Sequence, residues 1–219
     1  MKPAIIPVIH YADDNQALRN AERAADAGCD GVMLIQMEGR NEPLPLIARA
    51  IKERWPHMLV GINFLGASAI EGLVDNLAIE TDMTWTDAQP THSLAAPWFE
   101  AEQLCEARAW GGRHLLFTGV AFKHQRHEPD PETAARKALE MGFVPTTSGE
   151  ATGVAAEIGR IERLRAAIGP DAPLAIASGV TPDNVHLYAP LLSHILVATG
   201  VSSSFHEFDS ELLRRLRAA

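Results

Sequence analysis

Residues 173–185 read PLAIASGVTPDNV: a short apolar run, a glycine turn and a helix start, in that order. The apolar run Leu174–Ala177 is typical of a buried strand, and Pro182 suits the first turn of a helix. A glycine between a buried strand and a helix leaves backbone N–H groups free near the positive end of the helix dipole. The stretch therefore predicts one strand–turn–helix unit of a parallel sheet, with a turn that can hold an anion.

The same order of strand and helix recurs along the whole chain. Successive candidate strands begin 22 to 32 residues apart, which leaves room for one helix after each strand. Eight such units predict an α/β protein, a single compact (β/α)8 TIM barrel spanning residues 1–219. The rival is an open doubly wound sheet, which often carries G-x-G-x-x-G after its first strand, and that motif is absent here. The strands are expected to begin near Pro3, Gly31, Met58, Asp82, His114, Phe143, Pro173 and Ile195.

Capping and turn residues set the expected helix limits. Ser68 followed three residues later by Glu71 is a capping box, which predicts a helix start. Pro7 and Pro145 fall inside predicted strands, where a proline removes a ladder hydrogen bond, so each is expected to mark a bulge or a strand end. The expected helices are Asp14–Ala27, Pro43–Trp55, Ser68–Ile79, Pro97–Trp110, Asp130–Met141, Val154–Ile168, Thr181–Leu191 and Phe208–Leu216.

The composition is that of an acidic globular protein. The chain has 219 residues, and 19 basic against 28 acidic side chains give a net charge of −9. This charge argues against nucleic acid or anionic membrane as a partner, although a few backbone N–H groups can still hold an anionic small molecule. Two cysteines, no signal-peptide core and no run of about 18 apolar residues predict a cytoplasmic protein without a membrane span. The oligomeric state stays open, with a homo-oligomer as one option.

In a TIM barrel the site lies at the carboxyl ends of the strands. The polar residues there make Lys123, Glu150 and Asp87 the acid–base candidates, with His10 and Asn63 expected to orient a substrate. If strand 5 runs to residue 122, alternation puts Lys123 on the inner wall, where it can pair with a phosphate or act as a base or Schiff-base amine. The alternatives are a strand-end lysine that reaches solvent and, for Glu150, an ordinary solvated loop.

Two glycine turns on neighbouring strands predict a phosphate site. The residues expected to form it are Ser178, Gly179 and Val180 after strand 7, and Thr199, Gly200 and Val201 after strand 8. Many barrels hold a phosphate with these two loops, and a glycine lets the backbone approach a ligand because it has no Cβ. The alternative is that both glycines serve tight turns only.

No motif points to a cofactor or a dedicated metal. The chain contains no H-E-x-x-H, C-x-x-C, G-x-S-x-G or Walker motif, so neither a zinc site nor a nucleophile elbow is expected. A loosely held divalent ion between Glu38 and Asp87 is left open.

Several short blocks resemble the BtpA family of barrel proteins, which is named for a photosystem I biogenesis factor. They include Phe122-Lys123-His124 and, more specifically, the segments 148–153 (SGEATG) and 178–185 (SGVTPDNV), together with Thr199-Gly200. The family is grouped with the ribulose-phosphate-binding barrels, so the resemblance implies a phosphate held by the loops with Gly179 and Gly200. It brings no established reaction.

The chain departs from the family pattern at two inner-wall positions. Gly119 stands where an acidic residue is usual in strand 5, and Ile35-Gln36 stand where an acidic residue and Asn are usual after strand 2. The departures leave three hypotheses. The first is an enzyme on a small phosphorylated sugar-like or nucleotide-like molecule, with isomerase or lyase chemistry. The second is a ligand-binding or assembly protein without turnover, and the third is a phosphoribosyl transferase, for which the carboxylates are too scattered.

Overall fold

Eight parallel strands pair in chain order, and the last pairs with the first, so the sheet closes into a barrel. The computed structural model describes residues 2–95, 99–151 and 153–219, apart from the side chain of Phe99. The predicted (β/α)8 TIM barrel is confirmed. The strands are β1 Ala4–His10, β2 Gly31–Ile35, β3 Leu59–Asn63, β4 Met83–Thr86, β5 Leu115–Gly119, β6 Val144–Thr147, β7 Ala175–Ala177 and β8 His194–Val197.

A helix follows each strand and covers the outside of the barrel. The capping box predicted at Ser68 and Glu71 is present, while Pro97 of the fourth predicted helix lies outside the described residues. The helices are α1 Asp14–Asp26, α2 Leu44–Arg54, α3 Ala69–Ala78, α4 Phe99–Trp110, α5 Pro131–Glu140, α6 Ile158–Ile168, α7 Val185–Tyr188 and α8 Ser210–Ala218. Short 3-10 turns occupy Ala189–Leu191 and Thr199–Val201.

Three predicted elements are shorter than expected. Helix α7 is a single turn rather than the expected span to Leu191, because Pro190 cannot continue an α-helix. Helix α6 begins at Ile158 instead of Val154, since residues 153–157 pack as loop against the neighbouring strand ends. Strand β5 ends at Gly119, and Ala121 has a φ of +47°, so simple alternation does not extend to Lys123.

Both strand prolines lie within continuous strand pairing. Pro7 is paired with Val197 in the middle of β1, and Pro145 with Thr118 in β6, so the expectation of a bulge or strand end is wrong. In a parallel strand each residue turns its N–H toward only one neighbour. A proline therefore removes one hydrogen bond and leaves the pairing on its other side intact.

The apolar core has two layers, one inside the barrel and one between strands and helices. The inner layer is built from large side chains of alternate strand positions, such as Ile6, Met83 and Phe117. A Cβ on Gly61 would lie 2.9 Å from the Met33 methyl carbon, so the missing side chain makes room for this methionine. The inner layer closes the barrel axis and forms the floor on which the carboxyl-end residues lie.

Candidate active site

The carboxyl ends of the strands surround a cavity of about 560 Å³. Four of the five predicted catalytic side chains, those of His10, Asn63, Asp87 and Lys123, line it together. More than half of the lining residues are apolar. The remaining lining residues are Val8, Met33, Ile35, Met37, Leu65, Trp85, Phe122, His124, Gln125, Ala177, Ser178, Leu196, Ala198, Thr199 and Phe205.

The carboxylate of Asp87 is held in place by two donors from neighbouring strands. The Trp85 indole N–H donates to Oδ1 at 2.8 Å, and the Asn63 amide donates to Oδ2 at 3.1 Å. Each oxygen still has lone pairs available, because a carboxylate can accept about four hydrogen bonds. The Asp87 carboxylate is thus fixed in position and can still accept a proton, or a hydrogen bond from a hydroxyl group.

Lys123 reaches the same cavity by a turn rather than by strand alternation. Ala121 and His124 both adopt left-handed backbone conformations, with φ of +47° and +63°, and the Lys123 N–H donates to the Ser148 hydroxyl at 2.9 Å. Burial lowers the pKa of the Lys123 ammonium, and the negative charge of Asp87 partly opposes that change. The amine is therefore easier to deprotonate than a solvated lysine.

Gln125 occupies the space that the missing side chain of Gly119 leaves open. A Cβ on Gly119 would lie about 2.6 Å from the Gln125 amide carbon, and the Gln125 amide N–H donates to the Asp87 carbonyl at 2.9 Å. The loop after β5 thus places a polar side chain directly above Gly119. Gln125 also ties that loop to the loop bearing Asp87.

The loop after β8 folds back over the end of β1. The His10 ring stacks on Phe205 with a centroid distance of 4.3 Å and an interplanar angle of 13°, and its Nδ1 lies 3.0 Å from the Phe205 carbonyl oxygen. Asn20 on α1 donates to the His206 carbonyl at 2.7 Å. Burial lowers the pKa of His10, which favours the neutral ring. Because the Phe205 carbonyl can only accept, Nδ1 carries the proton of that ring, and Nε2 is left as a hydrogen-bond acceptor.

The predicted phosphate loops supply some of the expected donors. Ser178 and Thr199 line the cavity, and Gly179, Val180 and Gly200 follow directly behind them. Among the described residues, no protein acceptor takes the backbone N–H groups of these last three. The fourth predicted donor is engaged, because the Val201 N–H donates to the Ala198 carbonyl at 3.0 Å. The loops therefore offer three N–H groups, without the long helix whose dipole was expected to assist.

Both glycines of these loops are also needed for packing. A Cβ on Gly179 would collide with the Val154 carbonyl, and one on Gly200 with the Val180 carbonyl. Ser178 has a φ of +89°, which is rare for a residue with a side chain. The loops after β6, β7 and β8 thus pack closely through their backbones, so a bulky residue at either glycine would disturb the fold as well as any bound anion.

Two predicted side chains lie away from the cavity. Glu150 is exposed and does not line it. Glu38 is exposed and forms an ion pair with Arg40, whereas Asp87 faces the cavity. Within residues 2–95, 99–151 and 153–219, no three His, Cys, Asp or Glu side chains are grouped in a way that could hold a metal ion.

Two residues of the site, Phe205 and Gln125, were not predicted from the sequence. Phe205 is the one phenylalanine, tyrosine or tryptophan in the polar stretch 202–207, directly after the predicted phosphate turn. A single large apolar residue in a polar loop next to a predicted site is a local signal for a contact with the ligand. Gln125 carries no comparable local signal, because its role depends on the space above Gly119. Trp85 and Asp87, two residues apart at the end of β4, lie on one face, as their hydrogen bond shows.

No family model and no curated protein sequence matches the chain, so the BtpA resemblance stays a prediction. Solved structures match it over nearly its whole length. KGPDC from Streptococcus mutans, in complex with a phosphorylated sugar, has a TM-score of 0.71 at 9% identity, covering 99% of this chain and 96% of that one. Phosphoribosyl anthranilate isomerase from Thermus thermophilus has 0.66 at 18%, covering 100% and 97%. The native KDPGal structure has 0.69 at 18%, covering 100% and 92%. At such identities the likeness establishes the barrel fold.

No helix in the described part of the chain is long and apolar enough to cross a bilayer.

Proposed function

We propose that the chain is an enzyme acting on a small phosphorylated sugar-like or nucleotide-like metabolite, with acid–base chemistry of the isomerase or lyase type. One observation carries this proposal. Asp87 and Lys123 face a cavity that Ser178 and Thr199 also line, and the N–H groups of Gly179, Val180 and Gly200 directly behind these two have no acceptor among the described residues. Reactive side chains and anion donors are then within reach of one small ligand. A similar barrel was solved with a phosphorylated sugar, and another is an isomerase, which supports a phosphorylated substrate.

The proposed chemistry is proton transfer next to a carbonyl group. Asp87 is oriented by Trp85 and Asn63 and would accept the proton from carbon. Lys123 would stabilise the negative charge that develops on the carbonyl oxygen, and it would do so more strongly beside the apolar side chains of the cavity than in bulk water. The N–H groups of the β7 and β8 loops would hold the phosphate and fix the reacting carbon near Asp87. Glu150 would take part only if its loop moved over the cavity.

The test measures binding and chemistry separately, with D-ribose 5-phosphate as the probe. We expect calorimetry to show binding, and proton NMR in heavy water to show exchange of the hydrogen on the carbon next to the carbonyl group. Lys123→Met should weaken binding by about 30-fold, since a charge-assisted hydrogen bond contributes about 1.5–3 kcal/mol. Lys2→Met, at the opposite end of the barrel, serves as the matched control and should change neither quantity.

The variant Asp87→Asn separates an enzyme from a binding protein. We expect it to abolish this hydrogen exchange and to keep affinity within a few-fold, because the amide retains the size and part of the hydrogen bonding. Binding without exchange in the unmodified protein would favour the non-catalytic ligand-binding or assembly alternative. Absence of binding to D-ribose 5-phosphate and to inorganic phosphate would remove the proposed phosphate site.

A further inference from the structure

Asp87 and Lys123 form one polar edge of the cavity, and Ser178 and Thr199 form another. The wall between these two edges is apolar. Val8, Met33, Ile35 and Leu196 line it from three different strands. A bare sugar phosphate would place its hydroxyl groups against these side chains, where they would find no hydrogen-bond partner. The lining therefore favours a ligand with an apolar body, although the rim supplies charged and polar groups.

Aromatic rings stand on two sides of this cavity. Trp85 and Phe122 pack at 4.8 Å between centroids with a tilt of 49°, and the indole N–H bond to Asp87 fixes the Trp85 ring. Phe205 stacks on His10 at the opposite side. Rings held in this way are suited to stack on, or pack edge-on against, another planar ring.

Phe205 is unusual because its side chain is 53% exposed while its backbone is firmly anchored. Its carbonyl lies 3.0 Å from His10 Nδ1, and the next carbonyl, that of His206, accepts from Asn20. Exposure of a large aromatic side chain to water is unfavourable. The anchored loop nevertheless holds the Phe205 ring at the mouth of the cavity. A planar ligand that enters the cavity would cover this ring.

From these observations we infer that the ligand of this cavity is a phosphorylated metabolite that carries a planar aromatic ring, and that Phe205 selects for the ring. The inference rests on the proposed function, because the β7 and β8 loops hold the phosphate. The ring lies among Phe205, Trp85 and the apolar wall, and the polar linker between ring and phosphate faces Asp87 and Lys123.

The experiment compares three probes by calorimetry: 1-naphthyl phosphate, D-ribose 5-phosphate and 1-naphthol. We expect 1-naphthyl phosphate to bind at least tenfold more tightly than either of the others. Phe205→Ala should weaken 1-naphthyl phosphate by about tenfold, within the range of an aromatic contact, and change D-ribose 5-phosphate by less than twofold. Phe205→Trp should retain the affinity, and Leu46→Ala, an exposed apolar residue on α2, should change nothing.

The failures of the two proposals can be told apart. If D-ribose 5-phosphate binds as tightly as 1-naphthyl phosphate, or Phe205→Ala leaves both affinities unchanged, the aromatic-ligand inference is overturned and the proposed function stands. If 1-naphthol binds as tightly as 1-naphthyl phosphate, the phosphate site is wrong, and both proposals fall. The same holds if none of the three probes binds.

Discussion

Strand β4 is flanked by two aspartates in different surroundings. Before the strand, Asp82 accepts from the Val60 N–H at 2.9 Å and from the Lys52 ammonium at 2.8 Å, which ties α2 and β3 to the amino end of the barrel. After the strand, Asp87 is held by Trp85 and Asn63 but faces an open cavity beside Lys123. At the amino end the aspartate is bonded to other parts of the fold, whereas at the carboxyl end it faces the cavity in which we propose that a ligand binds.

The same contrast holds for other groups at the two ends. At the amino end the His114 ring is bonded on both nitrogens, to the Thr84 hydroxyl and the Thr81 carbonyl. At the carboxyl end the backbone N–H groups of Gly179, Val180 and Gly200 have no acceptor among the described residues. Unused donors next to a cavity cost free energy unless water or a ligand satisfies them.

The largest expected effect is a loss of stability at Gly179, where the carboxyl end of the barrel depends on close backbone packing. Gly179→Ala would force a Cβ into the Val154 carbonyl and should lower the free energy of unfolding by about 3–4 kcal/mol. Gly28→Ala is the matched control, because Gly28 has a similar φ of +73° with nothing within 4 Å, and it should cost about 1 kcal/mol. Urea unfolding measures both. Equal losses of unfolding free energy in the two variants would show that the positive φ, and not the close packing of the loops after β6 and β7, accounts for the effect at Gly179.

The second effect concerns His194, a partly buried histidine at the amino end of β8. Burial lowers the pKa of His194 to about 4, from an ordinary value of 6.5. The unfolded chain therefore binds a proton from pH 6.5 downward, and the folded protein does so only near pH 4, so stability falls as the pH is lowered through this window. The loss should be about 3 kcal/mol.

His194→Gln, which cannot be protonated, isolates this contribution. Its free energy of unfolding should fall less between pH 6.5 and pH 4 than that of the unmodified protein, and the difference should approach the loss assigned to His194. Ligand affinity at about pH 7 should be the same in both proteins, because His194 begins β8 at the end away from the cavity. Parallel pH profiles for the two proteins would contradict the assignment.

The smallest effect tests the amino-end aspartate. Asp82→Asn keeps an oxygen for the Val60 N–H but loses the ion pair with Lys52, so we expect a loss of about 1 kcal/mol in unfolding free energy. Asp75→Asn, on the exposed side of α3, should cost less than half of this. Neither variant should alter binding of a phosphorylated probe. A change in affinity with Asp82→Asn would mean that the two ends of the barrel are coupled.

The barrel could be predicted because each strand–helix unit carries its own local signal of apolar run, turn and cap. The side chains at the carboxyl ends of β1, β3 and β4 followed from that order, since parallel strands bring their carboxyl ends together. Lys123 was placed correctly at the cavity for a wrong reason, because the turn at Ala121 replaces strand alternation. Phe205 stacks on His10 across 195 positions of sequence, and such a contact leaves no periodic trace.

The most direct test of the phosphate site follows the backbone amides by nitrogen–proton NMR during titration with inorganic phosphate. We expect saturable downfield proton shifts for Gly179, Val180 and Gly200, because their N–H groups would donate to the anion. Gly28 and Gly169 have positive φ values similar to that of Gly179 but lie elsewhere on the barrel, so their amide signals should not shift. Unmoved amides at the β7 and β8 loops, or equal small shifts at all five residues, would contradict the proposal that these loops hold a phosphate.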